Sequence, residues 1–361
     1  MKVTVCGDVS PNRANELFIK KDAKTLFRDV PQVFAGSDRV LVNLETALTE
    51  QETPIQKIGP NLKASPICAQ VLKDVGVTDC SLCNNHIFDY GVPGVEDTIV
   101  AVEAAGLNWT GFGKNYRDSR KDLIMERDGM RVAFIAVCQR EYCYALEDRM
   151  GARPFDCYDT IADIRKAKEE CDYVVVIYHG GSEQCVYPSP RVRKMCQAMA
   201  DNGADVVLCQ HSHCIGCYEQ YGGSHILYGQ GNFHFVTKSN HPHWKSGLVV
   251  QLEFGDGVEI AFIPTEVHPD GIELAKGALK EEIMEGFQAR SQDLQNGKWL
   301  EGWKEFCEGK KEQYYGVIRT AYSQNATWDD NEMFSHYLYT EAHKDVWDEI
   351  CKLSWETRKE V

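Results

Sequence analysis

No run in this sequence approaches the roughly 20 consecutive apolar residues that cross a bilayer, so a helical membrane span is excluded. The opening, Met1-Lys2-Val3-Thr4-Val5-Cys6-Gly7-Asp8, has no export-signal pattern and enters a strand-like run at once. Neither a signal peptide nor a membrane anchor is expected. Positive charge is in deficit: 39 Lys and Arg against 54 Asp and Glu leave a net charge of −15. Such a balance repels a phosphate backbone and argues against nucleic acid as a partner. Cysteine, by contrast, is abundant, and its odd count of 15 does not suit a disulfide framework. Thiols in a chain without an export signal behave as small buried hydrophobes in a reducing compartment, so a cytoplasmic location is expected. With 361 residues, 43% of them apolar, the chain is neither disordered nor fibrous and has room for one large α/β domain plus an accessory piece.

Short β-branched runs ending in polar or glycine-rich turns alternate with amphipathic stretches of helical period, an α/β rhythm. Strands are predicted at Lys2 to Cys6, Arg39 to Val42, Thr78 to Cys83, Trp109 to Gly111, Leu123 to Glu126, Val132 to Val137, Tyr173 to Tyr178, Val206 to Cys209, Ile226 to Tyr228, Gly247 to Phe254 and Val258 to Pro264. Helices are predicted at Gly94 to Ala105 and Arg191 to Asp201, followed by Gly106 and Gly203 as left-handed caps. After Pro264 the strand signal stops, and helical patterns follow at Lys280 to Asp293, Leu300 to Ala321 and Asp330 to Arg358. The chain therefore divides into a domain over residues 1–264 and a helical extension over 265–361. That extension is rich in aromatic residues, and its spacing leaves open whether it packs on the domain, closes over a site or meets a second copy.

Metal-competent residues recur just after predicted strands, where loops of an α/β sheet converge on one edge. Five such places stand out: Gly7-Asp8, Asn43-Leu44-Glu45, Asn84-Asn85-His86, His179-Gly180-Gly181 and His211-Ser212-His213. Asp8 offers a hard anionic ligand after a glycine that permits a tight turn. His211 and His213, two apart, would face the same side of an extended segment. Asp89, three residues beyond His86, is spaced to orient that imidazole. Glu45 is the remaining carboxylate, and buried without a partner it would be costly. The pairs Cys80/Cys83 and Cys214/Cys217 do not read as a zinc knuckle, because the first falls within a strand and the second has no distant partner pair.

Taken in order, Asp8, Asn43-Leu44-Glu45, Asn84 to Gly91, His179-Gly180-Gly181-Ser182-Glu183, Gly203-Ala204-Asp205, His211-Ser212-His213 and Tyr228-Gly229-Gln230-Gly231-Asn232-Phe233 resemble the bacterial CapA family. That family is associated with capsule and poly-γ-glutamate synthesis and looks like a divergent branch of the calcineurin-like metallophosphoesterases. The resemblance spans residues 2–264. It implies an α/β/β/α metallophosphoesterase-like sandwich with a helical C-terminal extension, holding one or two divalent ions of manganese, iron or zinc. Carried across, Asp8, Asn85, His179, His211 and His213 match metal ligands. Glu45, or alternatively Asn43, stands where a bridging ligand belongs. His86 matches the catalytic histidine, with Asp89 behind it. Arg13, Asn43, Asn84, Glu183, Asn232 and His234 are the candidates for substrate contact. One departure is plain: the superfamily's opening aspartate is followed two residues later by histidine, whereas this chain has Asp8-Val9-Ser10, so an imidazole ligand is missing.

The resemblance implies a metal-dependent hydrolase acting on a phosphoester of a small anionic or polymeric substrate. Two other readings stay open: hydrolysis or transfer at a γ-glutamyl amide, and a non-catalytic assembly factor whose pocket binds an anionic polymer. A nucleic-acid phosphodiesterase conflicts with the acidic balance. Composition fits a monomer or an oligomer equally.

Overall fold

The computed structural model describes residues 1–236 and 241–356. Two sheets face each other, with helices on both outer sides. The first sheet is built from β1 (Lys2–Ser10), β2 (Arg39–Leu44), β3 (Asp79–Ser81) and β4 (Asn108–Thr110), all parallel. The second contains β5 (Leu123–Arg127), β6 (Met130–Cys138), β7 (Tyr173–His179), β8 (Val206–Gln210), β9 (Tyr218–Tyr221) and β10 (Ser224–Leu227), in the order β9-β10-β8-β7-β6-β5. The chain then returns to the first sheet. There β11 (Asn232–Phe235) pairs in parallel with the end of β1, on the edge away from β2, and β12 (Ser246–Gly255), β13 (Gly257–His268) and β14 (Gly271–Leu274) extend that same edge as an antiparallel meander.

The central strands are buried on both faces, which is why they read as unbroken apolar runs. In β6, Val132 and Phe134 point into the space between the sheets, where they meet Val3, Val5, Val175, Ile177 and Leu208. The alternate residues Ala133, Ile135 and Val137 face outward against Ile164, Val192, Met195 and Met199. Those four residues belong to the helices Cys157–Glu170 and Pro190–Asp201. On the far side of the first sheet, Ile67–Asp74 and Gly91–Ala104 pack Leu72, Val95 and Val102 onto Val40 and Val42. The expected four-layer α/β/β/α sandwich is thus present. The left-handed caps at Gly106 and Gly203 are too, with φ of +70° and +112°.

The strand signal does not end at Pro264. β13 runs on to His268, and β14 follows before any helix starts. Short, half-buried Glu-rich segments such as these carry little apolar alternation, which is why the sequence pattern fades there.

Among the described residues four helices follow: α1 (Gly277–Asn296), α2 (Trp299–Ala321), α3 (Trp328–Tyr339) and α4 (Glu341–Glu356). The single helix predicted from Asp330 to Arg358 is two, broken at Thr340, which takes an extended backbone with ψ of 131°; Arg358 lies outside the described residues. Trp303, Cys307, Tyr314, Tyr337, Val346 and Ile350 form a separate core among α2, α3 and α4, and Cys185 of the main fold joins it. Buried Asp345 ties the layer down: Ser189 Oγ donates to it at 2.5 Å and Arg191 Nε at 2.7 Å. Among the described residues, no helix is long and apolar enough to cross a membrane.

Candidate metal centre

Strand register assembles the site. Asp8 stands opposite Asn43 on one side and Asn232 on the other, while His179 stands level with Cys138 and Gln210. The carboxyl ends of both sheets therefore deliver their first loop residues to one place. Gly7 serves here by close approach rather than by a tight turn: a Cβ at this position would meet the Gly231 carbonyl oxygen at 2.5 Å.

Two overlapping groups of ligand atoms result, Glu45/His179/His211 and Asp8/Glu45/His213, with the atoms of each group within 4.8 Å of one another. All five side chains are buried. Glu45 Oε1 lies 3.4 Å from His179 Nε2 and 4.0 Å from His213 Nε2, which makes it common to both groups. His179 Nε2 also sits 3.2 Å from His211 Nδ1 and 2.9 Å from Asn85 Oδ1.

His211 and His213 do not meet on an extended segment. β8 ends at Gln210, and the two histidines adopt left-handed backbones with φ of +85° and +54°. Such conformations are costly for non-glycine residues and cluster at functional sites. The turn sends each imidazole to a different group.

Glu45 carries the test of whether a cation fits. Its side chain is fully buried, and neither carboxylate oxygen has a hydrogen-bond partner. Burial, reinforced by the Asp8 carboxylate, pushes its pKa well above the usual carboxylate range. An orphaned carboxylate among imidazoles is what a divalent ion would satisfy, and mixed oxygen and nitrogen donors suit manganese, iron or zinc. Burial likewise lowers the pKa of His179, and that of His211, with help from His179, to about 4. Neutral imidazoles are the form that ligates metal.

Surrounding amides hold these side chains in place. Asn43 Nδ2 donates to Asp8 Oδ1 at 2.8 Å and approaches His179 Nδ1 at 3.1 Å, while its Oδ1 accepts from Asn84 Nδ2. Asn84 also donates to the Leu44 carbonyl and accepts from the His86 amide. Asn232 Oδ1 accepts from His213 Nδ1 at 2.8 Å and its Nδ2 donates to the Trp244 carbonyl, which leaves His213 Nε2 to the cluster. The Trp244 indole stacks on His213 at 4.2 Å. These three asparagines, expected as substrate contacts, are buried and hydrogen-bonded at both ends of their amides.

His234 is not at the site. Its ring is fully buried between Phe18 and Phe27, 5.1 Å from each, and neither nitrogen has a partner. Arg13 is exposed on the short turn Asn12–Ala14 and does not line the cleft. Glu183 does line it.

That cleft, of about 390 Å³, opens beside the cluster. Asn85, His86, Gln139, Glu141 and His211 form its inner wall. His86 Nδ1 is 2.7 Å from Asp89 Oδ2, which also accepts from the Leu62 amide at 2.6 Å. With Nδ1 engaged, Nε2 is the atom left to the cleft. Burial, aided by the Lys57 ammonium, lowers the pKa of His86 against the opposing pull of Asp89.

Three inner-wall residues were not anticipated. Lys57, nearly buried, forms an ion pair with Asp89 and reaches His86 Nδ1 at 3.2 Å. Gln139 lies 3.0 Å from His211 Nε2, donates to Glu141 Oε1 at 2.8 Å and accepts from the Gly181 amide. Glu141 keeps a pKa near 2: burial would raise it, but His211 and His336 prevail. Gln139 and Glu141 follow β6 as the other clusters follow their strands, so the same signal was available for them. Lys57 sits in an aperiodic loop that gives none.

The outer wall comes from the C-terminal helices. Phe306, Lys310 and Tyr314 of α2, His336 of α3 and His343 of α4 face the cleft. Of the roles left open for this extension, packing on the domain and lining the cleft are both seen.

Fold and cluster together define a two-sheet α/β sandwich with a buried imidazole–carboxylate centre at the carboxyl edge of its strands. The family described as bacterial capsule synthesis protein PGA_cap matches residues 2–237, and the chain belongs to that family. It is 31% identical over 266 residues to the capsule biosynthesis protein CapA of Bacillus anthracis, covering 71% of this chain and 64% of that protein. It is 32% identical over 241 residues to the PGA biosynthesis protein CapA of Bacillus subtilis (strain 168), covering 65% and 63%. The chain thus spans less than two thirds of the length of either relative. A solved structure described as a putative 5'-nucleotidase from Staphylococcus aureus, in complex with alpha-ketoglutarate, aligns over 80% of this chain and 58% of its own, with 13% identity and a TM-score of 0.45.

Proposed function

We propose that the protein is a metal-dependent hydrolase of the phosphoester type, serving the synthesis of a capsule or poly-γ-glutamate polymer. The observation that carries this reading is the orphaned Glu45 carboxylate shared by two groups of buried ligands. Asp8, Glu45, Asn85, His179, His211 and His213 would hold one or two divalent ions. When bound, such ions supply Lewis-acid neutralisation of developing oxygen charge and lower the pKa of water.

The chain's own residues would do the rest. Asn43 and Asn232 fix the orientation of Asp8 and His213. Asp89 accepts from His86 Nδ1, with Lys57 paired to the same carboxylate, so that Nε2 of the neutral ring faces the cleft as the atom that would take up the proton of the attacking water. Enclosure by the outer helices limits water and strengthens each electrostatic contact. The net charge of −15 supports a substrate other than nucleic acid.

The test uses chain purified without chelator and supplied with Mn²⁺. His86→Asn is expected to retain its metal content and lose at least about 100-fold in turnover of bis(p-nitrophenyl) phosphate, the usual scale for a general acid or base. Unchanged turnover in that variant would contradict the reading. A second reading, an anion-binding assembly factor, is favoured by the relatives' descriptions, which concern polymer synthesis and not hydrolysis. It predicts metal binding without turnover in the unaltered protein.

A further inference from the structure

The outer wall of the cleft lies wholly beyond residues 2–237, the stretch that the family shares. The cluster and its wall therefore have separate origins in the chain: the strand ends supply the metal-competent groups, and the C-terminal helices supply what faces them. What the helices present is cationic and hydrogen-bonding. Lys310 is half-buried on α2, with its ammonium 5.5 Å over the Phe306 ring. Among the described residues it forms no ion pair, unlike Lys57 across the cleft, which is committed to Asp89. Glu141 and Glu183 line the same cleft, yet neither forms an ion pair with Lys310, and a half-buried ammonium left without a carboxylate partner is poised for an anion from outside.

His343, on the same wall, has a ring that burial and neighbouring His336 keep neutral, with a pKa near 3. Its Nδ1 is 2.7 Å from the Tyr314 hydroxyl. With that hydroxyl donating, the ring proton sits on Nε2, a second donor on the wall that carries the ammonium. Tyr337 stacks on the same ring at 4.0 Å and fixes its plane. On the inner wall, Glu141 is already engaged by Gln139 and does not compete for Lys310 by an ion pair.

We propose that Lys310 and His343 form a distal subsite that binds a second anionic group of the ligand, separated by a short linker from the group held at the metal cluster. The ligand class is thus a short chain bearing at least two oxyanions, either phosphates or carboxylates, and the helical layer selects it. This inference rests on the reading of the cluster as a metal centre.

The experiment is isothermal titration of the full, Mn²⁺-supplied chain with inorganic phosphate, inorganic triphosphate and a tri-glutamate peptide, each against the wild type, Lys310→Met and Lys310→Arg. Triphosphate or the peptide is expected to bind the wild type more tightly than phosphate does, and which of them does so identifies the kind of oxyanion. Lys310→Met should weaken that longer ligand about tenfold while leaving phosphate affinity and metal content unchanged, and Lys310→Arg should restore most of the loss. Equal loss for phosphate and the longer ligand, no loss for either, or no preference for a longer anion in the wild type would overturn the proposal. Absence of metal would instead overturn the reading of the cluster on which it stands.

Discussion

A carboxylate with nothing to bond to is the residue on which the site turns. Without a cation, ionised Glu45 is a net cost, since burial raises its folded-state pKa above the unfolded value. The native state then holds a proton that the unfolded chain has released, and the cost grows as pH rises above the ordinary carboxylate range. Metal-free Glu45→Gln should accordingly be more stable than the metal-free wild type at neutral pH, by about 1–3 kcal/mol. It should also lose the rise in Tm that Mn²⁺ gives the wild type. Chemical denaturation and thermal melts with and without the ion check both. His234 makes a different prediction, because it is buried, unpartnered and depressed to about 4 by burial alone among aromatic rings. Between about pH 6.5 and 4 the unfolded chain binds a proton that the native imidazole refuses, so stability falls as pH falls, by up to about 1.4 kcal/mol per unit. His234→Phe should flatten that slope in urea midpoints measured across the interval.

At the scale of elements, the strands were legible because the sandwich buries them on both sides. Val132, Phe134, Val175 and Ile177 fill the space between the sheets, and their neighbours fill the helix-facing side, so continuous apolar runs were inevitable. Phe134→Ala should cost about 3–5 kcal/mol in denaturant unfolding, as a cavity between two rigid sheets cannot collapse. Short strands such as Tyr218–Tyr221 and Gly271–Leu274 carried no such signal, being half-polar edge segments. The break at Thr340 was hidden for another reason: the residues around it keep a helical pattern on either side, and only the extended backbone at that one position separates α3 from α4. The site was legible as a set of residues following strands, yet their roles were not. Asn43, Asn84 and Asn232 have the chemistry of substrate contacts, and nothing in the sequence indicates that their amides are hydrogen-bonded at both ends within the cluster. The attachment of the helical layer gives a further test. Removing the buried acceptor in Asp345→Ala leaves Ser189 and Arg191 unpaired. It should destabilise the chain by about 3 kcal/mol and speed amide exchange first in α2, α3 and α4.

For the whole molecule, function falls at the meeting of two parts. A sandwich shared with the family provides a rigid edge where Asp8, Glu45, His179, His211 and His213 converge, and a helical layer outside the shared stretch closes over it. The central claim is that this edge would hold one or two divalent cations beside Glu45. Crystals soaked in Mn²⁺ and measured at an energy where manganese scatters anomalously test it directly. One or two difference peaks beside the Glu45 carboxylate, in the group of His179 and His211, in that of Asp8 and His213, or in both, are the predicted result. A map with no peak beside Glu45 would contradict the account.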